Sequence, residues 1–170
     1  MKTKLFESER LILFSADGWE YAERRKGKTA AAVIAITDAN EIVLTEQYRP
    51  PVNARVIDLP AGLIGDEDES SDALATARKE LEEETGFTCR DVELVAECAT
   101  SPGITSERVT FVRARGLTRS GAGGGVGNEK ITSHTVSMTN VVEWLREREK
   151  DGALIDGKVW SAMYFVNQST

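Results

Sequence analysis

Glu80, Glu83 and Glu84 fall within about one helical turn of the segment Arg78-Lys79-Glu80-Leu81-Glu82-Glu83-Glu84-Thr85-Gly86-Phe87. Spacings of three and four bring these carboxylates to one face, while Leu74 and Leu81 face elsewhere, into a core. Like charges so placed repel, each pair costing about 0.2–0.5 kcal/mol on an exposed helix. They also sit in the last turn before Gly86, where the helix dipole disfavours each anion by roughly 0.3–1 kcal/mol. A bound divalent cation removes both penalties, and a set of hard oxygen donors suits Mg2+, with Mn2+ as the alternative. The competing account is a solvated charged face, with Arg78–Glu82 and Lys79–Glu83 as i,i+4 pairs. The placement of the acids at the unfavourable end weighs against it.

Such a helix needs a scaffold, and 170 residues with 41% hydrophobic and 29% charged content suffice for one domain with its own core. A net charge of −7 without a basic stretch argues against a long nucleic-acid partner. No apolar run approaches the roughly 18 residues of a membrane span, and the N-terminus opens no secretory signal. Cys89 and Cys98 form neither a zinc knuckle nor a C-x-x-C pair, so both read as reduced thiols of a cytoplasmic protein. His134, the single histidine, lies on an expected strand without ligand-type neighbours and reads as structural.

The pattern predicts strands at 4–14 and 19–25 around a turn at Asp17-Gly18, then a hairpin of 30–37 and 42–48. A strand at 56–59 ends at Pro60 and Gly62. Ser71 or Asp72 caps a helix over 73–85, and Gly86 stops it. Strands follow at 92–99, 108–114 and 130–136. Helices follow at 139–150, burying Val141, Val142 and Leu145, and at 158–166. Six glycines within 116–127 match no phosphate-binding motif and read as a mobile loop. Without regular βαβ alternation, the fold class is α+β.

The acidic helix and the loop before it resemble the Nudix box, a glycine, then a glutamate six residues on, then Arg-Glu-apolar-any-Glu-Glu-any-Gly-apolar. Here Gly65, Glu80, Leu81, Glu83, Glu84, Gly86 and Phe87 match, whereas Ser71 stands for the glutamate and Lys79 for the arginine. Glu69 or Asp72 offers compensation for Ser71. Lys79 keeps the charge without the planar fork of arginine. Leu59-Pro60-Ala61-Gly62-Leu63, Glu46-Gln47-Tyr48-Arg49-Pro50-Pro51 and Ser101-Pro102-Gly103 with Thr105-Ser106-Glu107 resemble segments of the ADP-ribose and nucleotide-sugar pyrophosphatases of that family. Trp19-Glu20 and Arg24 resemble an adenine-side element of the same group. The stretch from Gly62 to Glu80 is three residues longer than the common version.

The resemblance implies a mixed β-sheet between helices, an α/β/α sandwich carrying a loop–helix–loop catalytic motif. It implies Mg2+ held by the Ala61 carbonyl, Glu80, Glu83 and Glu84. It also implies substrate contacts from Trp19, Glu20, Arg24, Arg49 and Glu107. Glu129, just after the glycines, is the candidate catalytic base, with Glu83 and Glu107 as alternatives. The implied reaction is hydrolysis of the pyrophosphate of ADP-ribose, GDP-mannose or a related nucleoside diphosphate sugar. The implied assembly is a homodimer with exchanged N-terminal strands, residues 1–26 of the domain 1–170. A nucleotide-sugar sensor that has lost catalysis and an RNA-end hydrolase are the rival readings. The intact carboxylates weigh against the first and the acidic surface against the second.

Overall fold

The near-continuous apolar run at 30–37 has a simple cause, a strand buried on both faces. In the computed structural model, which describes residues 1–27, 29–66 and 70–166, β4 (Thr29–Ala35) is that strand. Ala32 and Ile34 point into one apolar cluster, and Ala31, Val33 and Ala35 into another. β4 lies between β7 (Ala61–Leu63), antiparallel, and β9 (Arg108–Arg119), parallel; β8 (Phe87–Ala99) completes this four-stranded sheet. A second four-stranded sheet runs β10 (Thr132–Ser137), β5 (Glu41–Arg49), β6 (Ala54–Asp58) and β11 (Leu154–Ile155). β5 also divides its side chains, sending Ile42 and Leu44 to the first cluster and Val43 to the second.

Helix α1 (Ala73–Thr85) closes the second cluster with Ala77 and Leu81. Helices α2 (Val141–Lys150) and α3 (Gly157–Val166) close the first with Val141, Leu145, Val159 and Ala162. Mixed sheets with helices against them make the α+β class anticipated from the sequence, with the sheet divided in two. No helix among the described residues is long and apolar enough to cross a membrane.

The N-terminal segment differs from its expected form. The span 4–14 is not one strand: β1 (Lys2–Glu7) and β2 (Leu11–Ala16) are separated at Ser8-Glu9-Arg10, where Ser8 N–H donates to Leu11 carbonyl at 2.8 Å. With β3 (Trp19–Arg24) they form a separate antiparallel sheet. It joins the body where Ala22 N–H donates to Ile104 carbonyl and Ser106 N–H to Ala22 carbonyl, at 2.9 and 3.1 Å. β8 starts at Phe87 rather than 92, because its long antiparallel pairing with β9 continues to Arg119. Val142 is exposed, since α2 turns only Val141 and Leu145 fully inward. The short β7 and β11 and the 3-10 turn Pro50–Val52 carry too few residues for a periodic signal.

Leu81 is fully buried in the cluster on which α1 rests. Leu81→Ala is expected to lower unfolding free energy by about 2–5 kcal/mol, measured by denaturant titration; a loss below 1 kcal/mol would mean that the cluster does not seat the helix.

Candidate functional site

The sequence ends α1 firmly at both sides. Asp72 accepts the N–H of Ala75 at 2.8 Å, and Gly86, at φ 73°, adopts the left-handed cap with its N–H on Glu82 carbonyl. Of the expected pairs, Lys79–Glu83 forms at 2.8 Å, whereas Arg78 reaches away to the carbonyls of Cys89 and Arg90. Glu84 faces inward and is only 8% exposed. Its Oε2 accepts the N–H of Ala61 at 3.1 Å. Glu80 lies flat against the same strand, so close that a Cβ on Gly62 would overlap its carboxylate. α1 and β7 thus bring Ala61, Glu80 and Glu84 together. Glu83 stands one position away, turned to Lys79, whose ammonium is 4.0 Å from Glu80 Oε1. Burial, and then the charges of Glu80, Asp58 and Glu129, push the Glu84 carboxyl from 4.5 up to about 8, against the opposing pull of the Ala61 N–H.

The turn presenting Ala61 is held from three sides. Pro60 carbonyl accepts Val33 N–H at 2.8 Å, and Thr45 Oγ1 reaches the carbonyls of Asp58 and Leu59. Asp58 Oδ1 accepts Leu59 N–H at 2.7 Å, while Oδ2 meets Lys158 Nζ at 3.0 Å. Lys158 also pairs with Asp156 at 2.7 Å, so α3 is pinned to the end of β6. Burial raises the Asp58 carboxyl even against Lys158. For Lys158, burial acts to lower the pKa, but the two aspartates outweigh it. Nothing in the linear spacing of Asp58 and Lys158 announces this triad.

The glycine-rich segment is not the free loop expected from its composition. Ser120 and Gly121 N–H groups donate to Gly86 carbonyl, and Gly124 and Gly125 N–H groups donate to the carbonyls of Glu84 and Glu83 at 2.9 and 3.0 Å. These are the orphan acceptors that every helix C-terminus leaves, and glycine is what lets backbone approach them. Glu129 follows, its Oε2 accepting Val126 N–H at 3.0 Å, and its charge is among those felt by Glu84.

A second group assembles on the N-terminal side. Arg24 Nε donates to Glu107 Oε1 at 2.6 Å, and Trp19, 61% exposed, lies beside Gly103. Glu20 is exposed on the same strand, and Arg49 is exposed at the end of β5. No hydrogen bond or ion pair among the described residues links Trp19, Glu20, Arg24 or Arg49 to the carboxylates of α1. Ser71 precedes the cap of α1, and Glu69 lies outside the described residues. His134 binds Glu46 Oε2 at 2.8 Å and packs on Trp144, an assignment to structure rather than to the acidic site. Glu46 also takes an ion pair from Arg55.

The acidic helix is thus laid against the Leu59–Leu63 segment. A family model described as NUDIX domain matches residues 27–151. The chain belongs to the Nudix family. β1–β3 lie before the matched stretch. This Nudix chain is 31% identical over 174 residues to "Methanol dehydrogenase activator" of Bacillus methanolicus, a match covering 98% of the chain and 90% of that relative. It is 38% identical over 90 residues to "ADP-ribose pyrophosphatase" of Bacillus subtilis (strain 168), covering 52% of this chain and 46% of that one. It is 29% identical to "GDP-mannose pyrophosphatase" of Citrobacter koseri, over 85% of the chain and 76% of the relative. The crystal structure of "ADP compounds hydrolase" superposes with a TM-score of 0.76 at 19% identity, covering 99% of this chain and 90% of that one, which shows a shared fold.

Among the described residues no three acidic, histidine or cysteine side chains form a ready-made metal cage. The fit to a cation lies elsewhere. A buried carboxylate, Glu84, has no cationic side chain paired with it among the described residues. It shares the Ala61-Gly62 backbone with Glu80, and all the donors are hard oxygens. Without metal, the folded protein keeps the Glu84 proton between 4.5 and about 8, whereas the unfolded chain does not. That contribution to stability is fully present below 4.5 and is lost as pH rises through 8. Denaturant titrations of metal-free protein are expected to show stability falling over this window, with the slope reduced in Glu84→Gln. Superimposable pH profiles for the two proteins would refute the burial effect.

Proposed function

We propose that this Nudix protein hydrolyses the pyrophosphate of nucleoside diphosphate sugars, ADP-ribose or GDP-mannose among them, to a nucleoside monophosphate and a sugar phosphate. The observation that carries the reading is the buried carboxylate of Glu84 set beside Glu80 on the Ala61-Gly62 backbone. The names of the relatives from Bacillus subtilis and Citrobacter koseri supply the substrate class. Ala61 through its carbonyl, with Glu80, Glu83 and Glu84, would hold Mg2+ or Mn2+. When bound, such an ion would supply positive charge to offset the pyrophosphate oxygens and ease deprotonation of water.

The chain's own side chains supply the rest. Glu129 accepts the proton of the attacking water, with Glu83 and Glu107 the alternatives. Arg49 clamps the phosphates, its guanidinium matching their oxygens in pairs. Trp19 offers a ring face to the base, Glu20 and Arg24 complete the recognition of the nucleoside, and Glu107 contacts the substrate from the loop beside the metal site. The 1–170 unit works as a cytoplasmic homodimer, residues 1–26 exchanging strands with the partner copy. Exposed Leu5, Phe6, Leu11 and Leu13 on β1 and β2 support an interface there.

The deciding experiment is phosphate release from ADP-ribose, GDP-mannose, ADP-glucose, UDP-glucose and capped RNA, coupled to a phosphatase, with and without Mg2+. Mg2+-dependent cleavage of one or more nucleotide sugars is expected. Glu84→Gln is expected to abolish it while the protein stays folded, and near-normal turnover would show that the metal site has been misplaced. Tight binding without turnover would point instead to a sensor. Size measurement in solution is expected to give a dimer, and a clean monomer would remove the cross-subunit role of residues 1–26.

A second reading rests on the relative from Bacillus methanolicus, whose match runs over nearly the whole chain. Under it, hydrolysis serves to activate a dehydrogenase. Added wild-type protein would then raise the turnover of a methanol dehydrogenase, and added Glu84→Gln would not.

A further inference from the structure

Three consecutive backbone N–H groups leave the glycine-rich segment in one short run. Gly124 donates to Glu84 carbonyl at 2.9 Å, Gly125 to Glu83 carbonyl at 3.0 Å, and Val126 to Glu129 Oε2 at 3.0 Å. The first two grip the end of the helix that carries the carboxylates, and the third grips the carboxylate proposed as base. The fit depends on missing side chains. At Gly123, φ 70°, a Cβ would lie 2.7 Å from both Glu84 O and Gly86 N; at Gly125, φ 83°, it would lie 2.8 Å from Glu129 Oε2. Both positions combine a left-handed backbone with backbone or carboxylate neighbours, so any other residue must lift the segment away. Ile131 N–H, donating to Gly124 carbonyl at 3.2 Å, closes the turn on its far side.

We infer that Gly123–Val126 is a strap that positions Glu129 against the carboxylate end of α1, with Gly123 and Gly125 as positioning residues for proton transfer. This rests on the reading of Glu129 as the base. A strap tied to the main chain of Glu83 and Glu84 fixes the base relative to the carboxylates themselves, whatever the rest of the loop does. Composition alone gave the opposite expectation, because six glycines free of contacts would be mobile. Here the missing Cβ atoms are what permit docking.

The test compares Gly123→Ala in the wild-type and Glu129→Gln backgrounds, with Gly121→Ala as control. A Cβ at Gly121 meets nothing within 4 Å, and no positive φ strains it. In wild type, Gly123→Ala is expected to lower kcat by about tenfold to a hundredfold, the scale of an ångström-sized misplacement, with KM nearly unchanged. In the Glu129→Gln background it should lower kcat no further, since the group it positions is already gone. Gly121→Ala should behave as wild type. Amide exchange of the unsubstituted protein should show Gly124 and Gly125 protected, a readout independent of turnover. Equal fold-losses in both backgrounds, or unprotected amides in the unsubstituted protein, would overturn the strap. Normal kcat in Glu129→Gln would instead overturn the base on which it rests.

Discussion

A helix that carries its acids in its last turn works against its own dipole, and the site is built around the relief of that conflict. In α1 the carbonyls of Glu82, Glu83 and Glu84 all find N–H donors, from Gly86, Gly125 and Gly124 respectively. Leaving a buried acceptor unsatisfied costs about 1–3 kcal/mol, so these bonds matter most where carboxylates already add negative charge. Lys79 answers Glu83, and Ala61 N–H answers Glu84. What remains is a buried carboxyl pushed up to about 8, beside Glu80, in a place suited to a cation.

The fold serves this end by converging on Asp58-Leu59-Pro60-Ala61. β4 holds Pro60 carbonyl, β5 holds the turn through Thr45, and α3 pins it through Lys158. Burying the Asp58–Lys158 pair adds little to stability, because desolvation of ion pairs largely offsets their attraction. Its advantage is directional. Asp58 spends one oxygen on Leu59 N–H and the other on Lys158, so the chain leaves β6 in one orientation and Ala61 meets Glu84 from a fixed side.

The legible parts of the sequence were those with local physical causes. Asp72 and Gly86 mark the ends of α1 because capping is chemistry within four residues. The apolar run of β4 marks a strand buried twice, and the three- and four-residue spacing of the acids brings Glu80 and Glu84 to the Ala61-Gly62 backbone. The illegible parts depend on partners distant in the chain. Residues 4–14 looked continuous because a turn at Ser8-Glu9-Arg10 contains neither glycine nor proline. The Asp58–Lys158 pair spans a hundred residues and has no periodicity. The glycine segment misled for a sharper reason: composition reports conformational freedom, but only the position of α1 shows that this freedom is used for close approach.

Lysine at position 79 fits the same logic. An arginine there would grip a carboxylate with two parallel bonds in a fixed plane. Lys79 instead offers one compact charge, 2.8 Å from Glu83 and 4.0 Å from Glu80. An i,i+4 pair on an exposed helix contributes only about 0.3–0.5 kcal/mol, so the ammonium holds Glu83 weakly. It can balance the negative end of α1 without competing strongly for the carboxylate. Glu84 is therefore met by backbone, through Ala61 N–H at its carboxylate and Gly124 N–H at its carbonyl, while the Glu83 carboxylate is met by a side chain.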